Sequence, residues 1–341
     1  MDFEFSPEQE MLRASVRAFL ADKSPLAAVR KDYDEPAVDR SVWDGLRDLG
    51  LMDLGMVDAA VVLEELGRAC CPAPYASSIV GAASLLPELR TGDAIGTLAI
   101  FEEGSRYEWR TPATSATRAA DGWTLSGVKV HVPDAPMADV FVVTALDDAG
   151  ELGVFRVADA HTEPAQTVDG SRKQGRVVLD GAPATRVDCD AHSAVADALD
   201  RLGVAYVVDG VGAAQRALEL SVEYAKQRVQ FSRPIGSFQA VQHLCADMLR
   251  TVELGRAAGY YACWALDEAG DDEAHRAATL ARAFAADAFP QLGGTAIQVF
   301  GGVGFTWEHD IHLFYKRLLT LSVALGTATE HLEELAALAI D

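Results

Sequence analysis

The 341-residue chain is poor in basic residues: 29 lysines and arginines stand against 51 aspartates and glutamates, a formal charge of −22. Without a basic face a protein cannot neutralise phosphates, which excludes nucleic acid and anionic membrane surfaces as partners. Cysteine is scarce, with five residues at 70, 71, 189, 245 and 263. They form no CxxC pair and no Cys/His cluster, so no zinc site or other metal is expected. Cys70 and Cys71 are sequence neighbours that cannot easily bridge, a usage that suits a reducing cytoplasm. No apolar run approaches the roughly 20 residues that cross a bilayer. The early acids Asp2, Glu4, Glu8 and Glu10 have the wrong sign for the start of a signal peptide. The expectation is a soluble cytoplasmic protein. Half of the residues are hydrophobic, enough for a packed core and too many for a disordered chain.

Periodicity divides the chain into three parts. Residues 1–92 read as helices. Ser6-Pro7 with Gln9 is a capping box with proline in the first turn, and Met11, Leu12, Val16, Phe19 and Leu20 follow on one face. Val42 to Leu49 and Val61 to Leu66 form two further apolar stripes, closed by Gly50 and Gly67. Residues 93–190 change period to short β-rich runs at 97–101, 123–125, 128–132, 140–143, 154–157 and 176–179, separated by glycine, proline and aspartate. That pattern predicts a small antiparallel barrel or sandwich. Residues 191–341 return to helix, near 193–229, 238–268, 273–299 and 310–335. Segregated strands and helices make the fold class α+β.

Two clusters in the last part carry chemistry. In the first, Tyr224 to Gln239, a helix breaks at Pro234-Ile-Gly236 and restarts with Ser237 as its cap, flanked by Arg228, Arg233 and glutamines. A restarting helix offers free N–H groups, arginine offers a fork matched to phosphate, and Phe231 and Ile235 offer an apolar face to a base. An ordinary inter-helix turn with surface arginines reads equally well. In the second cluster, Gln298-Val-Phe-Gly301-Gly302-Val-Gly304, three glycines in four positions permit close backbone approach. They do not follow a strand as GxGxxG, so a Rossmann site is not supported, and a tight helix-to-helix turn is the competing reading.

With Gly212-Ala-Ala-Gln215-Arg216, these clusters in this order resemble the acyl-CoA dehydrogenase family, and the resemblance covers nearly the whole chain. The Trp307-Glu-His-Asp-Ile-His312 string is similar to an actinobacterial branch that degrades steroid side chains. The resemblance implies an N-terminal helical domain (1–92), a central β domain (93–190) and a C-terminal helical domain (191–341). It also implies FAD lying across a subunit interface, held at its adenosine and diphosphate end by the neighbouring chain. Arg228 would then pair the diphosphate and Phe231 would lie near the adenosine. Gln239 and Gln298 would supply amides, and Gly301-Gly302 would let the backbone approach. Gln230, Ile235 and Val299 complete the implied cofactor-binding set.

The departures from the family pattern are one-sided. The resemblance places the catalytic glutamate directly before the late Gly-Thr, where this chain has Leu325. The alternative base position on the earlier long helix aligns with Leu202, beside Asp200, with Asp209 a few turns along. Asp209 lies in an apolar stretch, as a base of raised pKa or as a structural group bonded to a loop or arginine. Where flavin-holding members have a Gly/Ser/Thr-rich segment and a Trp-x-Thr, this chain has Phe101-Glu-Glu-Gly-Ser-Arg106 and His131-Val-Pro133. Glu102 and Glu103 would repel a diphosphate, Pro133 has no N–H, and His131 is a substitute ring contact or a structural residue.

The expectation is therefore a subunit of a heteromeric FAD-dependent acyl-CoA dehydrogenase that lacks its own base and completes its partner's flavin site. The partner is a homologous subunit in an α2β2 tetramer, and it holds most of the acyl-CoA, a bulky thioester such as that of a steroid side chain. The alternatives are an active homo-oligomer using Asp209 or Asp200, and a non-enzymatic scaffold.

Overall fold

The structure, a computed structural model, describes residues 5–340, with side chains to residue 338. Asp2 and Glu4 of the early acidic run lie outside the described residues. Helices α1 (Pro7–Lys23), α2 (Leu26–Lys31), α3 (Ser41–Asp48), α4 (Met56–Arg68) and α5 (Ala83–Leu85) come first. Strands follow: β1 (Gly96–Ala99), β2 (Ser115–Ala119), β3 (Gly122–Pro133), β4 (Val140–Leu146), β5 (Leu152–Val157), β6 (His161–Pro164) and β7 (Gln174–Arg186). The chain ends with α6 (Ala191–Gln227), the two-residue strands β8 (Val229–Gln230) and β9 (Arg233–Pro234), then α7 (Gln239–Glu268), α8 (Asp271–Phe300), α9 (Ile311–Leu321) and α10 (Ala328–Ile340). This is the α+β layout that periodicity predicted. By contacts the described residues form two compact units, one holding the chain up to Arg30, Gly55–Cys71 and everything from Gly203, the other Lys31–Leu54 and Pro72–Leu202.

In the helical unit, α1 starts at the reciprocal capping box. Gln9 N donates to Ser6 Oγ at 3.2 Å, and Ser6 N donates to Gln9 Oε1 at 3.0 Å. The same glutamine donates from Nε2 to Asp58 Oδ1 at 2.9 Å, tying α1 to α4. Helices α4 and α6 cross backbone to backbone. A Cβ on Gly67 would stand 1.8 Å from the Asp209 carbonyl oxygen, and one on Gly212 would stand 1.8 Å from that of Glu64. Around the crossing, charges are paired across helices: Arg17 with Glu65, Arg68 with Glu219, and Arg256 and Tyr260 with Glu64. The expected helix over 310–335 is two helices, because the chain turns between Leu321 and Ala328.

In the other unit, β4, β5, β7, β3 and β2 pair in sequence, and a single β2–β4 contact closes the ring into a barrel. Leu125, Phe141, Val143, Phe155, Val157 and Val177 fill its interior. The expectation of purely antiparallel pairing is corrected at β4, which runs parallel to β1 and, at the single closing contact, to β2. The β2–β3 hairpin between β1 and β4 supplies the long crossover that a parallel pair requires. Register in the β3–β7 pairing shifts between Lys129 and Val132, leaving His131 at φ +53° on the exposed side.

Candidate functional site

The break after α6 is a hairpin. Val229 and Gln230 pair with Pro234 and Arg233, and the tip residues Phe231 and Ser232 take φ of +52° and +65°. The turn lifts Phe231 to 87% exposure, far beyond what an aromatic ring shows in a core. Its edge rests on Phe238, centroids 6.0 Å apart, and the Arg233 guanidinium covers Phe238 at 4.0 Å. Arg228 is exposed and has no ion-pair partner among the described residues, unlike Arg216, which is bound to Glu219. Gln239 opens α7 on the exposed side, and Ile235 is half-buried under the hairpin. One local expectation needs correction. Ser237 does not cap α7, since its hydroxyl donates to the Pro234 carbonyl at 2.7 Å and Phe238 takes the cap position. The Gln230 amide donates to its neighbour Val229 O at 2.9 Å, which uses one of its donors inside the hairpin.

The second cluster ends α8. Gln298 is exposed, whereas Val299 is only 6% exposed, so its side chain belongs to the core and only its backbone can face a ligand. Gly301 adopts φ +64° and ψ −142°, a conformation open essentially to glycine alone. A Cβ at Gly301 or Gly302 would meet nothing within 4 Å, so the backbone there faces open space. Stacking joins the two clusters: Tyr224 lies on Phe300 at 4.3 Å, and Phe300 lies against His309 at 4.3 Å. The fold thus gathers an unpaired guanidinium, exposed amides, an exposed phenyl ring and a bare glycine backbone on one helical unit, all directed to solvent. This donor set fits the diphosphate and adenosine end of a flavin dinucleotide.

In the barrel-side segment Glu102 and Ser105 bond within the barrel unit. Glu102 does not project charge outward as expected. Its Oε1 accepts from Lys129 Nζ at 2.7 Å and from Thr114 Oγ1 at 2.6 Å, and its Oε2 accepts from Ala113 N at 2.6 Å. Burial alone would raise the Glu102 carboxyl, but the bonds from Lys129 and Thr114 outweigh it and hold the pKa below its ordinary value. Lys129 is fully buried and also donates to Ile100 O at 3.1 Å; burial pushes its pKa down to about 8 against the pull of Glu102. Glu103 is exposed, and the Pro133 carbonyl is taken by the Thr97 hydroxyl at 2.5 Å. In this segment the Glu102 charge is therefore turned inward, while Glu103, Gly104 and Arg106 face solvent.

At the base positions, Leu325 carries no carboxyl, and Asp209 and Asp200 are buried. Leu325 lies in the turn between α9 and α10 and lines a narrow crevice with Tyr206, Val207, Arg282, Phe289 and His331. Beyond it Glu334 gathers Arg282, His275 and His331 at 3.6, 3.5 and 3.9 Å. Asp209 is 1% exposed, and both of its oxygens accept from Arg317, at 2.7 and 2.6 Å. That arrangement argues against Asp209 as a base, because protonating it would strand a buried guanidinium. Asp200 is buried at 6% exposure on the first turns of α6. Two partners here escaped the sequence reading, Lys129 and Arg317. A lysine inside a β-branched run and an aspartate inside an apolar helix were the available signals, since each requires a counter-charge.

The family model described as Acyl-CoA dehydrogenase, C-terminal domain matches residues 194–339, and that of the N-terminal domain matches residues 6–93. The chain is 32% identical to acyl-CoA dehydrogenase IpdE2 of Mycolicibacterium smegmatis, over 97% of this chain and 99% of that protein. It is 30% identical to IpdE2 of Mycobacterium tuberculosis, over 91% and 90%. Among solved structures it resembles the Tcur3481-Tcur3483 steroid ACAD, with TM-score 0.88, 28% identity and 98% of each chain covered. It also resembles the ChsE4-ChsE5 complex from Mycobacterium tuberculosis, with TM-score 0.89, 27% identity and 100% and 99% covered. The chain belongs to the acyl-CoA dehydrogenase family, whose members generally bind FAD.

Proposed function

We propose that this member of the family is one subunit of a heteromeric FAD-dependent acyl-CoA dehydrogenase, with no catalytic base of its own, and that it completes the flavin site of a homologous partner in an α2β2 tetramer. The observation that carries this reading is the outward half-site. Arg228 has no counter-ion among the described residues, Phe231 stands in solvent, and the Gly301-Gly302 backbone is bare. A protein that folds these groups outward around a stacked Tyr224–Phe300–His309 support has built a surface for something carried by another chain. In this reading Arg228 binds the diphosphate, Gln239 and Gln298 orient it through their amides, and Phe231 covers the adenosine. Bound FAD supplies the hydride acceptor of the family's α,β-dehydrogenation.

Neither Leu325 nor Asp209 takes the α-proton in this reading. Leu325 carries no titratable group, and Asp209 is consumed by Arg317. The relatives described as steroid ACAD and IpdE2 support a bulky CoA thioester, such as that of a steroid side chain, as the tetramer's substrate. The charge, the cysteine usage and the lack, among the described residues, of a helix able to cross a membrane support a cytoplasmic site. The division into parts at 92 and 190 is kept as the functional one, the last part holding the half-site. Co-expression with the partner subunit and a flavin count test the proposal. Two flavins per tetramer, with none on this chain purified alone, is the expected result. Stoichiometric FAD and dehydrogenation by this chain alone would sink it.

A further inference from the structure

His309 closes the second cluster on itself. The chain leaves α8 at the bare Gly301-Gly302 backbone, turns through Gly304, and brings the His309 ring back against Phe300, the residue just before that backbone. Phe300 is 4% exposed and meets two rings. Tyr224 stacks on it at 4.3 Å with the planes 23° apart, and His309 leans on it at 4.3 Å with the planes 45° apart. Tyr224 and His309 are themselves 6.5 Å apart, so the three rings form a closed triangle. Its Tyr224 corner also belongs to the hairpin, because the Tyr224 carbonyl accepts from Arg228 N at 2.8 Å.

The same imidazole caps α9. Asp310 holds the N-cap position but makes no cap bond, and its carboxylate is bound by Arg30. The Ile311 N–H, the first free donor at that helix end, donates instead to His309 Nδ1 at 3.1 Å. This bond fixes the state of the ring. Nδ1 must carry a lone pair, so the ring is the neutral tautomer with its proton on Nε2. A proton on Nδ1 would set donor against donor and place a cation on the positive end of the α9 dipole. The titratable and charged groups around the ring are Asp310 beside it, Arg30 from α2, His312 on the first turn of α9 and the Tyr224 phenol from α6. Burial, the largest influence, pushes the imidazole below its ordinary pKa, while Asp310 pulls it up and Arg30 pushes it down.

We propose that His309 is a positioning residue of the half-site and makes it sensitive to acid. As a neutral ring it holds α9, Phe300 and, through Phe300, the Gly301-Gly302 backbone in one arrangement. Protonation removes the cap acceptor, turns the ring off Phe300 and lets that backbone leave the place where it meets a diphosphate. This role presupposes that the half-site receives the flavin, and it adds the condition under which the flavin is released. Because the held ring binds its proton less readily than a free imidazole of pKa 6.5, flavin retention is complete well above that value and falls as the pH drops below it.

NMR of the full chain alone, at histidine Cε1 and the backbone amides, reads the ring without flavin. The His309 resonance, assigned by its loss in His309→Phe or His309→Asn, should titrate with a midpoint below 6.5. The Ile311 and Gly302 amides should shift with that same midpoint, and amides that do not follow it overturn the proposal. In the tetramer with its partner subunit, FAD retention on dialysis should be roughly threefold or more weaker at pH 5.5 than at pH 7.5, since one linked proton changes affinity by up to about tenfold per pH unit. His309→Phe keeps a ring on Phe300 but cannot titrate, so the pH dependence should vanish. His309→Asn keeps an acceptor for the Ile311 N–H and serves the same purpose if the phenylalanine variant does not fold. An equal pH dependence in either folded variant overturns the proposal. Unchanged retention in Arg228→Ala at pH 7.5 sinks the half-site reading, and this role with it. Weakened retention in Arg228→Ala, with no pH dependence in the wild type, sinks the His309 role alone.

Discussion

Arg317 holds Asp209 by two parallel hydrogen bonds, Nε to Oδ1 at 2.7 Å and Nη2 to Oδ2 at 2.6 Å, with neither side chain more than 2% exposed. Nη2 also donates to the Cys71 carbonyl at 3.1 Å, so the pair ties α9, α6 and the end of α4 together. This geometry supports a structural role for the pair. Asp209→Asn should cost on the order of 3–5 kcal/mol by leaving a buried guanidinium uncompensated. Urea unfolding measures that loss. Turnover per folded tetramer should stay unchanged, and Asp209→Leu with Arg317→Met should recover most of the stability. A selective loss of turnover in folded Asp209→Asn would restore it as a base.

Arg228→Ala removes the unpaired guanidinium at the hairpin. A charge-assisted hydrogen bond contributes about 1.5–3 kcal/mol, so the tetramer should bind FAD roughly tenfold or more weakly. Circular dichroism and thermal unfolding of this chain alone should not change, because Arg228 makes no ion pair among the described residues. Equal flavin retention would remove Arg228 from the site.

The two glycines after α8 should separate backbone strain from ligand approach. Gly301→Ala forces a methyl-bearing residue into φ +64°, ψ −142°, at about 1–3 kcal/mol of stability. Gly302→Ala meets open space and should leave the unfolding midpoint unmoved, yet lower FAD retention where the cofactor approaches the backbone. Retention unaffected by Gly302→Ala would place the flavin elsewhere.

Lys129 predicts an alkaline signature. Its pKa falls from an ordinary 10.5 to about 8 in the folded chain, mainly through burial. Between pH 8 and 10.5 the unfolded chain therefore binds more protons, and this group makes stability rise with pH. Urea midpoints at pH 8 and 10 should show the rise in the wild type. The slope should flatten in Lys129→Met.

Glu334 predicts the acidic counterpart. The bond with His331 lowers its pKa most, outweighing burial, with Arg282 and His275 adding to it. A depressed carboxylate contributes fully above its unfolded value of 4.5 and loses that contribution as pH falls through its folded value. Amide exchange in α10 should accelerate on acidification below about pH 4.5, and Glu334→Gln should remove that dependence.

Much of this was legible in the chain. The capping box at Ser6, the stripe behind it and the β-rich runs report local periodicity, which does not depend on what the elements later touch. Hairpin glycines and prolines marked the half-site for the same reason. The parallel β1–β4 edge, the two-residue hairpin strands and the split of the last helix were not legible. The first depends on which distant segment lies alongside, whereas the hairpin strands are too short for a period to report and the helix split rests on the turn after Leu321. Val299 shows the limit within the site itself, where one position along a helix separates an exposed amide from a buried side chain.

The sequence by itself determined the element types and their helical, β, helical order. It also determined the acidic balance, the missing glutamate before Gly326, and the family motifs in their order. These are properties of composition and local spacing, where side-chain period and turn chemistry act over a few residues. Only the tertiary structure decided which charges stay available. It closed Glu102 on Lys129 and Asp209 on Arg317, while leaving Arg228 and the Gly301-Gly302 backbone facing solvent. The reason is that a charge is defined by its nearest counter-charge, and those partners lie 27 and 108 residues away for Glu102–Lys129 and Asp209–Arg317. No local pattern reports a partner at that distance, whereas packing in three dimensions brings it within hydrogen-bond reach.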